Sequence, residues 1–315
     1  MKRVIIDTDP GIDDTAAILF ALGSPELQVE ALTMVFGNVS VEKCTINALR
    51  ILEAAGREDI PVYPGSGIPF GMWEPAFAQY IHGSDGLGDS DAPDPTTSAQ
   101  SQNAVVEIID RLLASPGEIT LIALGRLTNI ALAINVEPSI VDAIDEVIVM
   151  GGAVTVPGNV TPVATANIWG DPQAANVVYK SGAKIVQVGL DVCRKVEFSP
   201  EQLARTWSAD TRGTRLLQGA VAFIQQAYNR RGRLNNPEGA QFNDVPAMGY
   251  AIAPSLYTMR DGYVRVEYLG EMTKGQTVAD FEGQTDNPAN AAVAVDVDVP
   301  GLTELWVERV SGLGS

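Results

Sequence analysis

The chain has 315 residues and a hydrophobic content of 46%, enough to bury a sizeable core as one large α/β domain or two smaller ones. Its 21 Lys and Arg residues against 39 Asp and Glu residues give a net charge of −18, which would repel nucleic-acid phosphates and anionic membrane surfaces. These numbers predict a globular protein and argue against a nucleic acid or a membrane as its partner.

The N-terminal stretch MKRVIID reaches Asp7 after only three apolar residues. This run is too short for the apolar region of a signal peptide, and no apolar run in the chain approaches the length of a bilayer span. Two cysteines, Cys44 and Cys193, do not make a disulfide framework. We therefore expect residence in the cytoplasm.

From the N-terminus onward, short β-branched runs alternate with helical patterns. The predicted strands are RVIID, VEALTMVF, EITLIAL, EVIVMGG and AKIVQVGL, and the helices between them include DDTAAILFAL, VEKCTINALRILEAAG and RLTNIALAI. This alternation predicts an α/β fold, an open, mostly parallel Rossmann-like sheet with helices on both faces. Ligands of such sheets bind beyond the carboxyl ends of the strands. We therefore expect one sheet edge to gather the residues that follow the strands: Asp7, Asp9, Asn38, the 124–129 turn, residues 150–152 and Asp191.

Two long polar segments, residues 64–101 and 229–243, interrupt this pattern. Loops of this length in a compact domain tend to be lids or disordered segments. The first contains the only histidine of the chain, His82, with Trp73 and Tyr80 nearby, so we interpret it as a lid.

After about residue 255 the pattern changes to β-rich runs, GYVRVEYL, QTVADF and NAAVAVDVD, followed by a closing helix around LTELWVERV. We interpret residues 255–299 as a β-rich appendage, so that 1–315 form a single domain.

Four carboxylates, those of Asp7, Asp9, Asp13 and Asp14, lie within eight positions directly after the first strand. Like charges this close repel, and burying an unpaired carboxylate is costly, so such a cluster needs a cation, a shared proton or open water. Asp13 and Asp14 could be acids that favour the start of a helix, but this interpretation leaves Asp7 and Asp9 unexplained.

Two metal chemistries are open for this cluster. A D-x-D phosphatase would use Asp7 as a nucleophile with Mg²⁺, but it needs a Lys to neutralise the phosphoryl oxygens, and no Lys stands at a strand end. Carboxylates and carbonyls without a Cys/His ligand set suit a hard cation, and Ca²⁺ accepts about six to eight oxygens in irregular geometry. We favour Ca²⁺ and keep the phosphatase as an alternative.

The motif DTDPGIDDTAAI resembles the N-terminal signature of the inosine–uridine-type nucleoside hydrolases. The resemblance continues in the order of that family with FGN at 36–38, HGSDGLG at 82–88, LGRLTNIALA at 124–133, VMGGAV at 149–154 and GNVTPVATANIWGDPQAA at 158–175. These blocks span nearly the whole chain. The resemblance implies the nucleoside hydrolase variant of the open α/β sheet, with Ca²⁺ at its carboxyl edge, a nucleoside or similar riboside as substrate, and a homodimer or homotetramer.

The resemblance also implies a role for each matching residue. Asp9, Asp14, Asp244 and the carbonyl of Leu124 would bind the metal. Asp9 would in addition be the general base toward a water held by the cation, and that water would attack C1′ of a ribosyl group with developing positive charge. The chain would then be an N-glycosidase that releases ribose and a free base.

Further residues would bind the substrate. The ribose hydroxyls would be held by Asp13, Asn38, Asn159 and Asn167. Met150 would pack beneath the sugar, and Asp13 would favour the positive charge that develops on it. His82 has the only side chain with an unperturbed pKa near neutrality, and it would be a catalytic leaving-group acid or a residue that stacks on the base.

Three positions depart from the family pattern. Thr165 stands where many members have a Glu at the ribose 5′-hydroxyl, so that carboxylate is missing. Asn243 stands where purine-cleaving members often have a His that protonates the leaving base, and an amide cannot titrate near neutral pH. Arg126 stands where Pro is frequent. We expect intact recognition of the metal and of the 2′ and 3′ hydroxyls, with Thr165 and Asn243 lining an altered substrate pocket.

Each of these residues has a structural alternative when it is taken alone. Asn38 and Asn159 could be turn residues, Met150 could belong to the core, and Asp244 could cap a helix. The departures also keep open a function of a different class, a ribose- or nucleoside-binding homologue that has lost efficient turnover.

Overall fold

The computed structural model describes residues 1–71 and 74–313. Met72, Trp73, Gly314 and Ser315 lie outside the described residues, and so does the contribution of Trp73 to the predicted lid.

The first half of the chain alternates strands and helices. They are β1 (Lys2–Thr8), α1 (Ile12–Leu22), β2 (Leu27–Met34), α2 (Val41–Ala55), β3 (Val62–Pro64), α3 (Gln79–His82), α4 (Ala104–Ala114), β4 (Ile119–Ala123), α5 (Thr128–Val136) and β5 (Ile144–Met150). A short 3₁₀ helix, Pro138–Ala143, leads into β5.

The second half is richer in helices. It contains α6 (Ala166–Gly170), α7 (Pro172–Lys180), β6 (Ile185–Val188), α8 (Leu190–Cys193), α9 (Pro200–Trp207), α10 (Arg212–Asn229), α11 (Val245–Ile252), β7 (Tyr257–Val266), β8 (Thr277–Asp280), β9 (Ala291–Val297) and α12 (Val299–Ser311). A second 3₁₀ helix, Pro254–Leu256, precedes β7.

The strands form one sheet in the order β3-β2-β1-β4-β5-β6-β9-β7-β8. β1 to β6 and β9 pair in parallel, whereas β7 is antiparallel to both β9 and β8. The predicted open, mostly parallel α/β sheet is therefore confirmed. The chain runs from β1 to β2 and β3 on one side, and β4 then pairs on the other side of β1. The strand order therefore reverses between β1 and β4. Sheets of this type bind ligands at the carboxyl ends of the strands where the order reverses.

The central strands are buried on both faces, which explains their continuous apolar sequences. Every residue of β4 is buried, and so is β1 from Val4 onward. Successive side chains of β1 enter different cores, because Ile5 packs into one hydrophobic cluster and Ile6 into the other. Each fully buried side chain of this size contributes about 1.5–3 kcal/mol relative to an exposed one. These two cores cover the two faces of the central strands.

The β-rich segment 255–299 completes this sheet. β9 pairs with β6 through Ile185–Ala291 and the following residues, and it is the seventh parallel strand. The β7–β8 hairpin then covers the far side of β9. We propose on this basis that 1–315 form one domain in which 255–299 ends the sheet.

Within the described residues, none of the helices combines the length and the apolar character that crossing a bilayer requires.

Candidate active site

The junction between β1 and α1 is built around Asp14. Its Oδ1 accepts a hydrogen bond from Thr8 Oγ1 at 2.5 Å, and its Oδ2 accepts one from the Gly11 N–H at 3.0 Å. A Cβ atom on Gly11 would lie 2.7 Å from both Asn38 Nδ2 and His82 Nδ1, so only glycine fits this turn. The DTDPGIDD motif thus forms a tight turn that directs its carboxylates to the carboxyl edge of the sheet.

Asn38, which follows β2, ties Asp9 to Asp14. The Asn38 N–H donates to Asp9 Oδ2 at 2.7 Å, and Asn38 Nδ2 donates to Asp14 Oδ2 at 2.9 Å. Asp9 is 2% exposed, and it packs against Gly37 and Gly125, where added Cβ atoms would collide with its carboxylate oxygens. Asn38 therefore does more than form a turn, because it fixes both carboxylates.

Three carboxylates converge beneath the cavity. One oxygen from each of Asp13, Asp14 and Asp244 lies within 4.8 Å of the others, and all three residues are buried. Asp244 precedes α11, but its side chain makes no hydrogen bond that caps the helix. Its carboxylate instead lies beside that of Asp14 in this group.

Burial and mutual repulsion disfavour ionisation throughout this group. Burial, and then the negative charge of neighbouring carboxylates, raises the pKa of Asp9, Asp14 and Asp244. Burial likewise raises the pKa of Asp13 to about 6, and its Oδ1 lacks a hydrogen-bond partner among the described residues. A hard divalent cation would relieve the repulsion, and the all-oxygen donor set fits such an ion.

The carbonyl of Leu124 stands at the end of β4 and accepts a hydrogen bond from Asn167 Nδ2 at 2.5 Å. The same amide donates to the carbonyl oxygen of Met150 at 3.0 Å and lies 3.3 Å from its Sδ atom. Asn167 therefore connects the ends of β4 and β5. Met150 is buried in the hydrophobic core and also lines the cavity. Its environment is therefore compatible with both predictions from the sequence, a core residue and a residue that packs beneath the sugar.

The segment between β5 and α6 supplies the next wall of the cavity. Asn159 Oδ1 accepts a hydrogen bond from the Ala166 N–H at 2.9 Å. Thr165 Oγ1 accepts one from the Gly152 N–H at 3.0 Å, and Thr165 is 1% exposed. Its hydroxyl group thus fastens the turn after β5, in addition to lining the cavity.

His82 is the last residue of α3 and lies against the first residue of α1, Ile12. Its Nδ1 accepts a hydrogen bond from the Ile12 N–H at 3.2 Å and lies 3.7 Å from Asp13 Oδ1. Burial lowers the pKa of His82 from its ordinary value near 6.5 to about 4. The ring is therefore neutral near pH 7 with its proton on Nε2, whereas the sequence had offered a side chain whose unperturbed pKa lies near neutrality.

A single cavity collects the candidate residues. It is lined by Asp9, Asp13, Asn38, His82, Leu124, Met150, Asn159, Thr165, Asn167, Asn243 and Asp244. Asp14 does not line the cavity, but it belongs to the buried carboxylate group beside it.

Asp7 and Asp191 do not line this cavity, although the sequence predicted both at the carboxyl edge of the sheet. Asp7 Oδ2 accepts hydrogen bonds from Thr33 and Asn129, and Asp191 holds the backbone N–H groups of Val154 and Thr155. Both carboxylates fasten segments that surround the site. A buried, hydrogen-bonded Asp7 is badly placed to be the nucleophile of a D-x-D phosphatase.

Sequence reasoning missed several residues of the cavity wall. Tyr228, near the end of α10, receives a hydrogen bond at its Oη from Asn243 Nδ2 at 2.8 Å. Arg231 stacks on Tyr80, with 4.4 Å between its guanidinium carbon and the ring centroid, and Arg233 donates to the Asn159 carbonyl at 3.2 Å. The polar composition of 229–243 was the one signal available for the arginines, and Tyr228 is part of an ordinary amphipathic helix pattern.

The sheet and its cavity define an α/β protein with a buried all-oxygen site at the carboxyl edge. The family model described as inosine-uridine preferring nucleoside hydrolase matches residues 4–304, and the chain belongs to this family. It is therefore an enzyme of the N-glycosidase type.

Relatives match over nearly their whole length. Uridine nucleosidase 1 of Arabidopsis thaliana is 37% identical over 310 residues, which cover 96% of this chain and 91% of the relative. The non-specific ribonucleoside hydrolase RihC of Escherichia coli is 38% identical over 312 residues, which cover 99% of each chain. The solved structure of a purine-preferring ribonucleoside hydrolase from Gardnerella vaginalis superposes with a TM-score of 0.93 at 33% identity, and 99% of each chain is covered.

Proposed function

We propose that this protein hydrolyses the N-glycosidic bond of a ribonucleoside, or of a nucleoside-like N-riboside, with the help of Ca²⁺, and that it releases ribose and the free base. The observation that carries the proposal is the buried group of Asp13, Asp14 and Asp244, whose crowded oxygens favour a hard divalent cation. Asp13 and Asp244 of this group also line the cavity that collects the candidate residues. The carboxylates of Asp9, Asp14 and Asp244 and the carbonyl of Leu124 would hold the ion. When bound, the ion would lower the pKa of a water molecule and orient it.

Asp9 then acts as the general base. Its carboxylate accepts a proton from the attacking water, whose oxygen forms a bond to C1′ while the bond from C1′ to the base nitrogen breaks. The electron pair of that bond leaves with the base, which takes up a proton. Asn38 keeps Asp9 in place through the 2.7 Å hydrogen bond to Oδ2.

Asp13 has a separate part in this reaction. Its Oδ1 is buried without a partner among the residues the structure describes, so it is free to accept hydrogen bonds from the 2′ and 3′ hydroxyls. Its negative charge also stabilises the positive charge that develops on the ribosyl group. Asn38, Asn159 and Asn167 add amide groups around the sugar, and Met150 packs beneath it.

His82 is a neutral donor through Nε2 in this proposal, because the Ile12 N–H occupies Nδ1. We expect His82→Ala to lower kcat on ordinary nucleosides more than on ribosides with activated aryl leaving groups, since the latter depart without a hydrogen bond from Nε2 to the leaving group. Steady-state kinetics on matched substrates measures the difference. Equal losses on both substrates would make His82 an anchor of α3 and no leaving-group acid.

Thr165 gives the 5′ end of the sugar pocket a neutral wall. A Glu at this position would accept a hydrogen bond from a 5′-hydroxyl, whereas Thr165 already uses its oxygen as an acceptor for the Gly152 N–H. We therefore expect the wild type to discriminate less than Thr165→Glu between ribosides with and without a 5′-hydroxyl. The ratio of kcat/KM for the two ribosides measures this. An equal ratio in both proteins would mean that another residue reads the 5′ position.

The alternative is a binding protein of the same fold without turnover, which the replacements at Thr165 and Asn243 would permit. Release of reducing sugar from uridine, cytidine, inosine and adenosine separates the two functions, because a pure binder would give saturable binding and no ribose. The similar proteins are named for uridine, for no specific base and for purines, so the panel must contain both base classes. A homodimeric or homotetrameric state and residence in the cytoplasm stay predictions.

A further inference from the structure

Arg126 is a buried cation behind the candidate site. It follows β4, is 4% exposed and does not line the cavity. Its Nη2 donates to the Ala76 carbonyl at 2.6 Å, and its guanidinium carbon lies 4.6 Å from the centroid of the Phe36 ring. Its Nε and Nη1 have no hydrogen-bond partner among residues 1–71 and 74–313. A guanidinium this deeply buried is costly unless nearby negative charge compensates it.

The compensating charge is that of Asp9. A Cβ atom added to Gly37 would collide with Asp9 Oδ2 and would lie 2.6 Å from Arg126 Nη1, so the carboxylate and the guanidinium flank the same glycine. They do not form a direct ion pair within 4.0 Å, and the Asp9 oxygen accepts from Asn38 instead. Arg126 therefore acts on Asp9 through its charge.

Gly170, the last residue of α6, and Asp171, which follows it, form part of the surroundings of Arg126. A Cβ atom on Gly170, at the end of α6, would overlap Arg126 Nε, so the absence of a side chain there makes room for the guanidinium. The second carboxylate nearby, that of Asp171, is already engaged by the Phe70 N–H, the Thr128 hydroxyl and the Ala174 N–H. Asp171 thus forms its hydrogen bonds without Arg126, and its negative charge acts on Arg126 in addition to that of Asp9.

We propose that Arg126 is a fixed counter-ion of the carboxylate group. Its positive charge offsets part of the negative charge of Asp9, Asp13, Asp14 and Asp244 and thereby lowers the affinity of the site for a divalent cation. Its hydrogen bond to Ala76 also fastens the segment that leads into α3 and His82. This inference rests on the proposed cation site.

The sign of the effect separates this role from a purely structural one. Loss of a structural support would distort Asp9 and weaken cation binding. Loss of a nearby positive charge would instead strengthen it, because the Coulomb repulsion between Arg126 and the incoming cation disappears. The two explanations therefore predict opposite changes for the same substitution.

The test uses the chelator-treated protein and Ca²⁺ alone as the probe. Arg126→Met keeps the apolar stem and removes the charge, whereas Arg126→Lys keeps a charge. Arg230→Met is the matched control, because Arg230 is an exposed arginine outside the cavity wall. Calorimetric titration gives the Ca²⁺ affinity, and thermal unfolding with and without Ca²⁺ gives a second measure, since a ligand of the folded state raises Tm by mass action.

We expect Arg126→Met to bind Ca²⁺ about tenfold more tightly than the wild type, with a larger rise in Tm on adding Ca²⁺. Arg126→Lys and Arg230→Met should stay within about twofold of the wild type. Unchanged or weaker binding in a folded Arg126→Met would overturn the proposal. Arg126→Gln, which keeps a donor for the Ala76 carbonyl, carries the same test if the Met variant does not fold. A wild type that does not bind Ca²⁺ would instead refute the proposed function.

Discussion

Replacing Asp14 by Ala is expected to abolish both Ca²⁺ binding and ribose release. The substitution removes a charged oxygen from the buried carboxylate group and leaves Thr8, Gly11 and Asn38 without their shared acceptor. A carboxylate oxygen is the kind of ligand that Ca²⁺ prefers. Loss of a residue that only supports a metal ligand lowers metal affinity by about 10–100-fold. We expect the loss of Asp14, a ligand itself, to lower the Ca²⁺ affinity by more than that.

Calorimetric titration with Ca²⁺ and a reducing-sugar assay measure the two losses in the same preparation. Asp94→Ala is a suitable control, because the Asp94 side chain is 92% exposed and pairs with Arg50 at the surface. The control should bind and turn over like the wild type. A folded Asp14→Ala with wild-type affinity for Ca²⁺ would remove Asp14 from the metal site.

Asp9→Asn should reduce kcat by about 10²–10⁴-fold, the usual contribution of a general base, with a much smaller change in KM. The amide has the shape of the carboxylate and can still accept the Asn38 N–H, but it cannot take a proton from water. Steady-state kinetics at saturating Ca²⁺ measures the effect. A kcat within about tenfold of the wild type would assign the base to another group.

The layout of the sheet was predictable, because buried parallel strands have continuous apolar sequences between helical patterns. RVIID, EITLIAL and EVIVMGG became β1, β4 and β5. The place of β9 was not predictable, since a β-rich run of residues does not reveal whether it pairs beside β6 or forms a separate layer. That pairing depends on contacts between residues far apart in the chain.

The site was predictable as a set of residues but not as a geometry. The motifs named the carboxylates, yet spacing alone does not show that oxygens of Asp13, Asp14 and Asp244 lie within 4.8 Å of one another. The lowered pKa of His82 follows from its burial. That burial depends on the path of the 64–101 segment, which the sequence does not give. Arg126 is explicable only together with Gly170, because the space for its guanidinium comes from a helix much later in the chain.

The most direct test of a cation-dependent N-ribohydrolase is ribose release from a nucleoside panel by protein that has been freed of metal with a chelator and then restored with Ca²⁺. The carboxylate group predicts negligible release from the metal-free protein and recovery of turnover with at least one nucleoside when Ca²⁺ is added. Full activity of the metal-free protein would contradict the role of the cation. Saturable nucleoside binding without ribose, in the presence of Ca²⁺, would contradict hydrolysis itself.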